Sequence, residues 1–448
     1  MDAVIVGNSR AAIEAIRSFR QYDQDSPLTL LSKENLAGYC RPLIAEYLSG
    51  EKSYKEILYV SPDFYNEKKV NLLKGVEAVK LDTERKEILT NQGQKIAFDR
   101  LLIATGSKPV IPPIPGADLA GVYTFWTIGD AQDIAKRAEK AESAVVVGAG
   151  LVGMSAIHAL HARGLQVSVV EMLDRVLTPC LDAPGSEIIQ QKMRRSGINL
   201  HLKKKLTAIK EEPTSSSVLG VELDDGTKIP CQLVVVAAGV RPNIDFLRAS
   251  PLNVNDGIIV NENLETSIPN IFAAGDAAQP YDILHNENKI IANLPNASEQ
   301  GRIAGANLAG QKTSYKGGIT MTSMRYFGIP FVSMGILSKS EPLHQETSVH
   351  NSDMSIYRKL ITTERRIIGA VLVGDINQGG IILRMIHEKI STLNPEDLLE
   401  RNHEFEVFRK ELMRETMEGG IQWKETIGLE QPWRKNRDKI PVSKEESV

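Results

Sequence analysis

The sequence predicts an α/β protein built on two strand–turn–helix–strand units. Three observations predict it. The opening "MDAVIVGNSRAAIEAIRSF" reads as a short apolar strand, a small-residue turn and an amphipathic helix, and "SPLTLLSKE" follows as a second strand. "ESAVVVGAGLVGMSAIHALHARGLQVSVVEMLDRVL" repeats that order more strongly, roughly 140 residues on. A Pro-rich run at residues 109–115 lies between them and marks a boundary.

The bulk composition narrows the class. At 448 residues the chain exceeds a single core, so two to four domains are expected. A net charge of −3 carries no nucleic-acid footprint. No apolar run approaches the length of a membrane span. A strand begins at Ala3, which leaves no room for a signal peptide. The three cysteines, Cys40, Cys180 and Cys231, are far apart, which fits a reducing, cytoplasmic setting. There is no CxxC and no CxxxxC, so neither a local redox disulfide nor an iron–sulfur ligand run is present.

The remaining elements follow in order. The stretch from "DFYNEKK" at Asp63 to "IPPIPG" at Gly116 reads as alternating strands that end in a buried strand and the Pro-rich turn. Further strands run to "CQLVVVAAGVRPN". "NIFAAGDAAQ" is a buried strand ending in Gly-Asp, and "ASEQGRIAGANLAG" is a helix. From about residue 317 the pattern becomes antiparallel-like, with strands in "GITMTSMRYFGIPFVSMG" and "SIYRKLITTERRIIGAVLVGD" and a helix in "GGIILRMIHEKI". The last stretch, about 401–448, is charged, helix-like and then coil-like, and carries Trp423 and Trp433. It reads as a solvated terminus or as a segment that docks on another subunit or a dimer mate.

The stronger glycine turn is Gly148-Ala149-Gly150-Leu151-Val152-Gly153. Gly148 permits the tight turn, Gly150 lets the backbone approach a pyrophosphate, and Gly153 lets helix and strand pack closely. The helix N-terminus offers free N–H groups and a positive dipole. Glu171 ends the next strand, placed to accept ribose hydroxyls and to repel a 2′-phosphate, so NAD is favoured over NADP. The first turn is degenerate. Gly7 keeps the leading glycine, while Ser9 and Ala12 stand at the other two positions. Ser32 stands where the acid is usual, Glu34 lies two residues later, and Lys33 is placed to reach a phosphate or ribose. Taken alone, this turn is equally a bare nucleotide-binding-like unit without a ligand.

"DRLLIATGSKPVIPPIPG" and "TSIPNIFAAGDAAQ", set beside the two turns, resemble the FAD-dependent pyridine nucleotide–disulphide oxidoreductase superfamily over roughly residues 1–395. By that resemblance Ala104-Thr105-Gly106 is the turn beside the FAD, and Asp276 of Gly275-Asp276 serves its ribityl–pyrophosphate region. Gly239 in "VVVAAGVRPN" is the matching turn on the NAD side, and Ala78 joins the candidate cofactor residues. The implied architecture has two Rossmann-like, three-layer domains. The FAD domain is about 1–117 and 252–316, the NAD domain is inserted at about 118–251, and a C-terminal α+β interface domain covers 317–400. The helix starting near Ala297 and Ser298 would point its N-terminus at the flavin.

"YCRPLIAEYLSG" decides the branch. Aligned from its right end against the single-cysteine members, the active cysteine falls on Pro42, and Cys40 is two residues early. The segment instead resembles ferredoxin- and rubredoxin-reductase types and the flavin part of assimilatory nitrite reductases, where Arg41-Pro42 would pack at the flavin. Glu46 stands where ferredoxin reductases have a lysine, and Ser155 where many members have a glutamate. The resemblance is nearest to the NADH-dependent epsilon subunits of phenylglyoxylate dehydrogenase and kindred electron-input subunits. It implies hydride transfer between NADH and FAD, then single electrons exchanged with an iron–sulfur or rubredoxin-type carrier or partner subunits, in either direction, and a possible homodimer. Two rivals stay open: a Cys40-dependent NADH peroxidase or coenzyme A–disulphide reductase, and a non-catalytic docking subunit. His158 and His161, spaced i, i+3, read as packing histidines rather than metal ligands.

Overall fold

A computed structural model describes residues 1–391 together with Leu398 and Leu399. The charged tail with Trp423 and Trp433 lies outside the described residues.

The first sheet has five parallel strands in the order Ile271–Ala273, Arg100–Ile103, Ala3–Val6, Leu28–Ser32, Val70–Lys74. Every residue of Ala3–Val6 is buried, as expected for a parallel strand covered on both faces. One edge strand comes from residues far along the chain, so the chain leaves this sheet and returns to it. The helices Arg10–Tyr22 and Leu294–Leu308 cross at close range, because a Cβ at Gly301 would overlap the Ala11 backbone.

The second sheet is also parallel, in the order Asn199–Leu202, Gln166–Glu171, Ser143–Val147, Leu233–Val236, Val122–Thr124. Strands Ser107–Pro109 and Val240–Pro242 pair antiparallel on the two passages between the sheets. The third sheet is antiparallel, in the order Met321–Tyr326, Ile329–Gly335, Arg366–Val373, Ile356–Thr363, Gln345–Asn351. The helix Gly379–His387 lies against it.

Three details differ from the sequence expectation. Phe64–Glu67 forms one helical turn rather than strand, burying Phe64 and Tyr65. The helix expected near Ala297 begins at Leu294, because the Asn293 side chain caps the Asn296 N–H at 3.0 Å and Pro295 suits the first turn. The edge strand Gln345–Asn351 is mostly exposed and polar, so it has no alternation to betray it. Arg358 and Lys359, charged in the sequence, are almost wholly buried and paired. Arg358 meets Asp375 at 2.7 Å, and Lys359 meets Asp182 at 2.6 Å. Asp182 caps the helix Ala183–Arg195, so the third sheet is pinned to the second parallel unit by a charge pair between a buried lysine and a half-buried aspartate.

Candidate functional site: a cavity between two glycine turns

One cavity of about 1400 Å³ runs between the two parallel units, with a glycine turn at each. Every candidate cofactor residue named from the sequence lines it, except Ala12 and Gly153. Those two stand at the third position of their turns and are fully covered. A Cβ at Gly153 would overlap the Gly148 carbonyl, so this position serves helix–strand packing, as its motif role requires. Ala12 is likewise fully buried and off the cavity wall.

The two turns are built alike. Gly7 adopts φ +110° and Gly148 φ +98°, a region that side chains rarely enter. A Cβ at either would run into a facing carbonyl, Ala104 or Ala237. Beyond Gly150 the space is open. The helices Arg10–Tyr22 and Leu151–Ala162 then start without a side-chain cap and without an acidic residue in the first turn. Their free N–H groups and positive ends are left available to anions in the cavity.

Acidic groups are anchored around the cavity. Glu171 accepts the Ala149 N–H at 2.6 Å with one oxygen and the Leu173 N–H at 2.9 Å with the other. Asp276 accepts the Ser107 hydroxyl at 2.6 Å. The Gly275 N–H is held by the buried Gln300 side chain at 2.8 Å. Glu34 takes the Arg41 guanidinium at 2.9 Å and the Tyr39 hydroxyl at 2.6 Å. Burial pushes Tyr39 well above the usual tyrosine range. Lys33 is engaged by Glu77 at 2.9 Å, and both line the cavity.

Arg41 and Pro42 form wall. The Arg41 guanidinium lies 5.6 Å from the ring centres of both Tyr39 and Trp126 and donates to the Trp126 carbonyl at 2.8 Å. Cys40 does not line the cavity. Its thiol faces Tyr59, whose hydroxyl burial pushes upward. A different cysteine does reach the cavity. Cys180 lines it, with its sulfur 3.8 Å from the Thr322 hydroxyl, and burial raises its thiol above the ordinary value.

Several residues escaped the sequence reading. Arg10, inside the first turn, donates to the Ser298 hydroxyl at 2.6 Å and pairs with Glu14 at 3.3 Å. Its signal was a cation at a position the glycine pattern leaves free. Tyr326, from the third sheet, donates to the Leu151 carbonyl at 3.0 Å and meets the Ser155 hydroxyl at 3.0 Å. Nothing local in the sequence marks it. Lys108 and Arg241, on the paired passages between the sheets, both engage Asp245. His158 and His161 pack on the Phe327 ring at 5.4 and 5.7 Å. Glu46 is not on the cavity wall, and one of its oxygens is buried without a hydrogen bond.

The residues present fit two dinucleotides. The cavity offers two uncapped helix starts, the cations Arg10, Lys33 and Arg41, and a buried Thr105 hydroxyl with no partner of its own. That volume exceeds what a single drug-sized ligand fills.

Residues 1–301 match the pyridine nucleotide-disulphide oxidoreductase family, and residues 321–390 match the rubredoxin NAD+ reductase C-terminal domain. The chain is 32% identical over 402 residues to a nitrite reductase [NAD(P)H] of Bacillus subtilis, covering 88% of this chain and 49% of that one. It therefore spans about half the length of that relative. It is 28% identical over 385 residues to the NADH-dependent phenylglyoxylate dehydrogenase subunit epsilon of Aromatoleum evansii, covering 86% of this chain and 90% of that one. A solved structure of NADH:rubredoxin oxidoreductase from Clostridium acetobutylicum superposes with a TM-score of 0.73 at 25% identity, covering 89% of this chain and 98% of that one.

Proposed function

Because the chain belongs to the pyridine nucleotide-disulphide oxidoreductase family, we propose that it is the NADH-reactive flavoprotein of an electron-transfer system and that no thiol of its own takes part. On this reading it is a FAD-dependent NAD(H) oxidoreductase rather than a non-catalytic docking subunit, and the family match supports that. FAD, when bound, supplies the exchange between hydride and single electrons. The chain's residues supply position. The start of Arg10–Tyr22, with Arg10 and Lys33, would hold the FAD pyrophosphate, and Asp276 and Thr105 its ribityl side. Gly148, Gly150 and the start of Leu151–Ala162 would hold the NAD pyrophosphate, and Glu171 its ribose. On this reading residues 1–117 and 252–316 serve FAD, 118–251 serve NAD, and 317–400 form the interface domain.

The observation that carries the thiol-free reading is that Pro42, not Cys40, faces the cavity. Cys180 does face it, but its raised thiol is the protonated, poorly nucleophilic form at neutral pH. Electrons must then leave by an external acceptor. The names of the relatives support an iron–sulfur or rubredoxin-type protein, or a partner subunit. The test is anaerobic stopped-flow mixing of the FAD-loaded chain with NADH, then with a rubredoxin or a ferredoxin. Bleaching by NADH and reoxidation by the carrier support the reading. Bleaching without reoxidation by either carrier, but with rapid reoxidation by peroxide or a disulphide, would replace it with thiol chemistry.

A further inference from the structure

The Gly275–Asp276 turn is held by a residue to which the cofactor reading assigns no role. Gln300 lies on the helix Leu294–Leu308, one turn beyond Ala297, and is wholly buried. Its side-chain oxygen accepts the Gly275 N–H at 2.8 Å. Gly275 takes φ +74°, and a Cβ there would meet the Cβ atoms of Ala11 and Ala297 at 3.4 and 4.0 Å. The turn therefore sits between the helices Arg10–Tyr22 and Leu294–Leu308. Those helices touch through their backbones, since a Cβ at Gly301 or Gly305 would overlap Ala11 or Ala15. They give the turn a fixed base.

Gln300 is a poor choice for packing alone. Its buried amide nitrogen lies near the Tyr315 hydroxyl but outside hydrogen-bonding geometry, and that hydroxyl donates to Asn296 at 2.7 Å instead. A buried N–H group left in this way opposes folding. Methionine has a similar length and no such group. The amide is explained by what its oxygen holds. That oxygen ties together two parts of the cavity wall. One is Asp276, whose carboxylate accepts the Ser107 hydroxyl at 2.6 Å. The other is the helix start, where Asn293, Leu294 and Ala297 line the same cavity. The first is an acid and the second a positive helix end.

We propose that Gln300 is a positioning residue for the flavin reaction, and that its bond to Gly275 sets both the affinity for FAD and the potential of the bound FAD. This rests on the reading of Asp276 and this helix start as the FAD side of the cavity. Without the bond, the turn shifts against a helix that does not follow it. Asp276 then holds either form of FAD less well. The positive helix end favours the reduced, anionic form, and a displaced turn weakens that preference, so the potential falls.

The test uses the FAD-loaded full chain, read by FAD release on dilution and by the flavin potential against a reference dye. Gln300→Met is expected to weaken FAD about tenfold. It is also expected to lower the potential by about 30 mV, the equivalent of tenfold for a two-electron couple. Gln300→Asn keeps an amide that ends one methylene short of Gly275, and both changes are expected in the same direction. This variant decides the outcome if Gln300→Met does not fold. Lower thermal stability with unaltered FAD affinity and potential would make Gln300 a packing residue, and would overturn the inference while the FAD reading stands. Weaker FAD at an unchanged potential overturns it as well. If the unaltered chain does not retain FAD, the FAD reading itself fails and the inference falls with it.

Discussion

The Glu171 carboxylate accepts the Ala149 N–H at 2.6 Å, so the acid that ends one strand also closes the glycine turn that begins the neighbouring helix. A single side chain thus shapes the turn and, on the proposed reading, serves the coenzyme ribose. Glu171→Ala removes a charge-assisted hydrogen bond together with the proposed ribose contact. NADH KM is expected to rise about tenfold or more, with kcat for reduction of an artificial dye nearly unchanged. Steady-state kinetics of the FAD-loaded protein checks this. A fall in kcat with unchanged KM would place Glu171 elsewhere in the reaction.

Cys40 and Cys180 are expected to be dispensable for the NADH half-reaction. Cys40→Ser, Cys180→Ser and the double variant should each retain NADH-to-dye rates within about twofold. Loss of activity in Cys40→Ser alone would revive the thiol mechanism. Loss in Cys180→Ser alone would give a role to the thiol that does line the cavity.

Tyr326 joins the third sheet to the start of the Leu151–Ala162 helix. Tyr326→Phe leaves the ring and removes the bonds to the Leu151 carbonyl and the Ser155 hydroxyl. A destabilisation of about 1 kcal/mol is expected, together with weaker NADH binding, because the helix end proposed to hold the pyrophosphate loses its brace. Denaturant unfolding and NADH titration measure the two effects separately. A stability loss with unaltered NADH affinity would limit Tyr326 to packing.

Cys231 sets an alkaline limit on stability. It is 2% exposed, and burial pushes its thiol up to about 12. The folded value lies above the unfolded one of about 8.5, so the neutral thiol favours the fold. That contribution is complete below about pH 8.5 and is lost as pH rises towards 12. The unfolding midpoint of the native protein should therefore fall over this range, and Cys231→Ala should flatten the slope. An unchanged slope in the variant would assign the alkaline loss to other groups.

Asp245 works in the opposite direction. Its hydrogen bonds to Arg241 and Lys108 hold it far below the usual carboxylate range. Its folded value is depressed, so its contribution is present above about pH 4 and is lost as pH falls further. Asp245→Asn is expected to reduce the acid sensitivity of the fold and to loosen the paired passages between the two parallel sheets. Acid unfolding followed by circular dichroism reads the first effect. An acid profile identical to that of the native protein would show that this network carries no pH dependence.

Much of the site was legible in the sequence because it is backbone chemistry. Gly148, Gly150 and Gly153 have spacing dictated by one turn and one helix, whereas Ala104 and Gly275 were legible only through the resemblance to the family's motifs. The displacement of Cys40 by two residues was likewise legible only by aligning its segment with the pattern of the single-cysteine members. The helix start at Leu294 was missed, although Asn293 and Pro295 signal it locally. Arg10 was passed over because the motif tolerates any residue there.

What the sequence by itself determined is the pair of dinucleotide turns, their order along the chain and the absence of a thiol at Pro42. These depend on contacts within about thirty residues, the length of one strand–helix–strand unit. Only the tertiary structure decided that Cys180 lies on the cavity wall and that Tyr326 braces a helix 175 residues away. Side chains distant in the chain meet only through packing of separate sheets, and no local periodicity encodes which of them will face the same space.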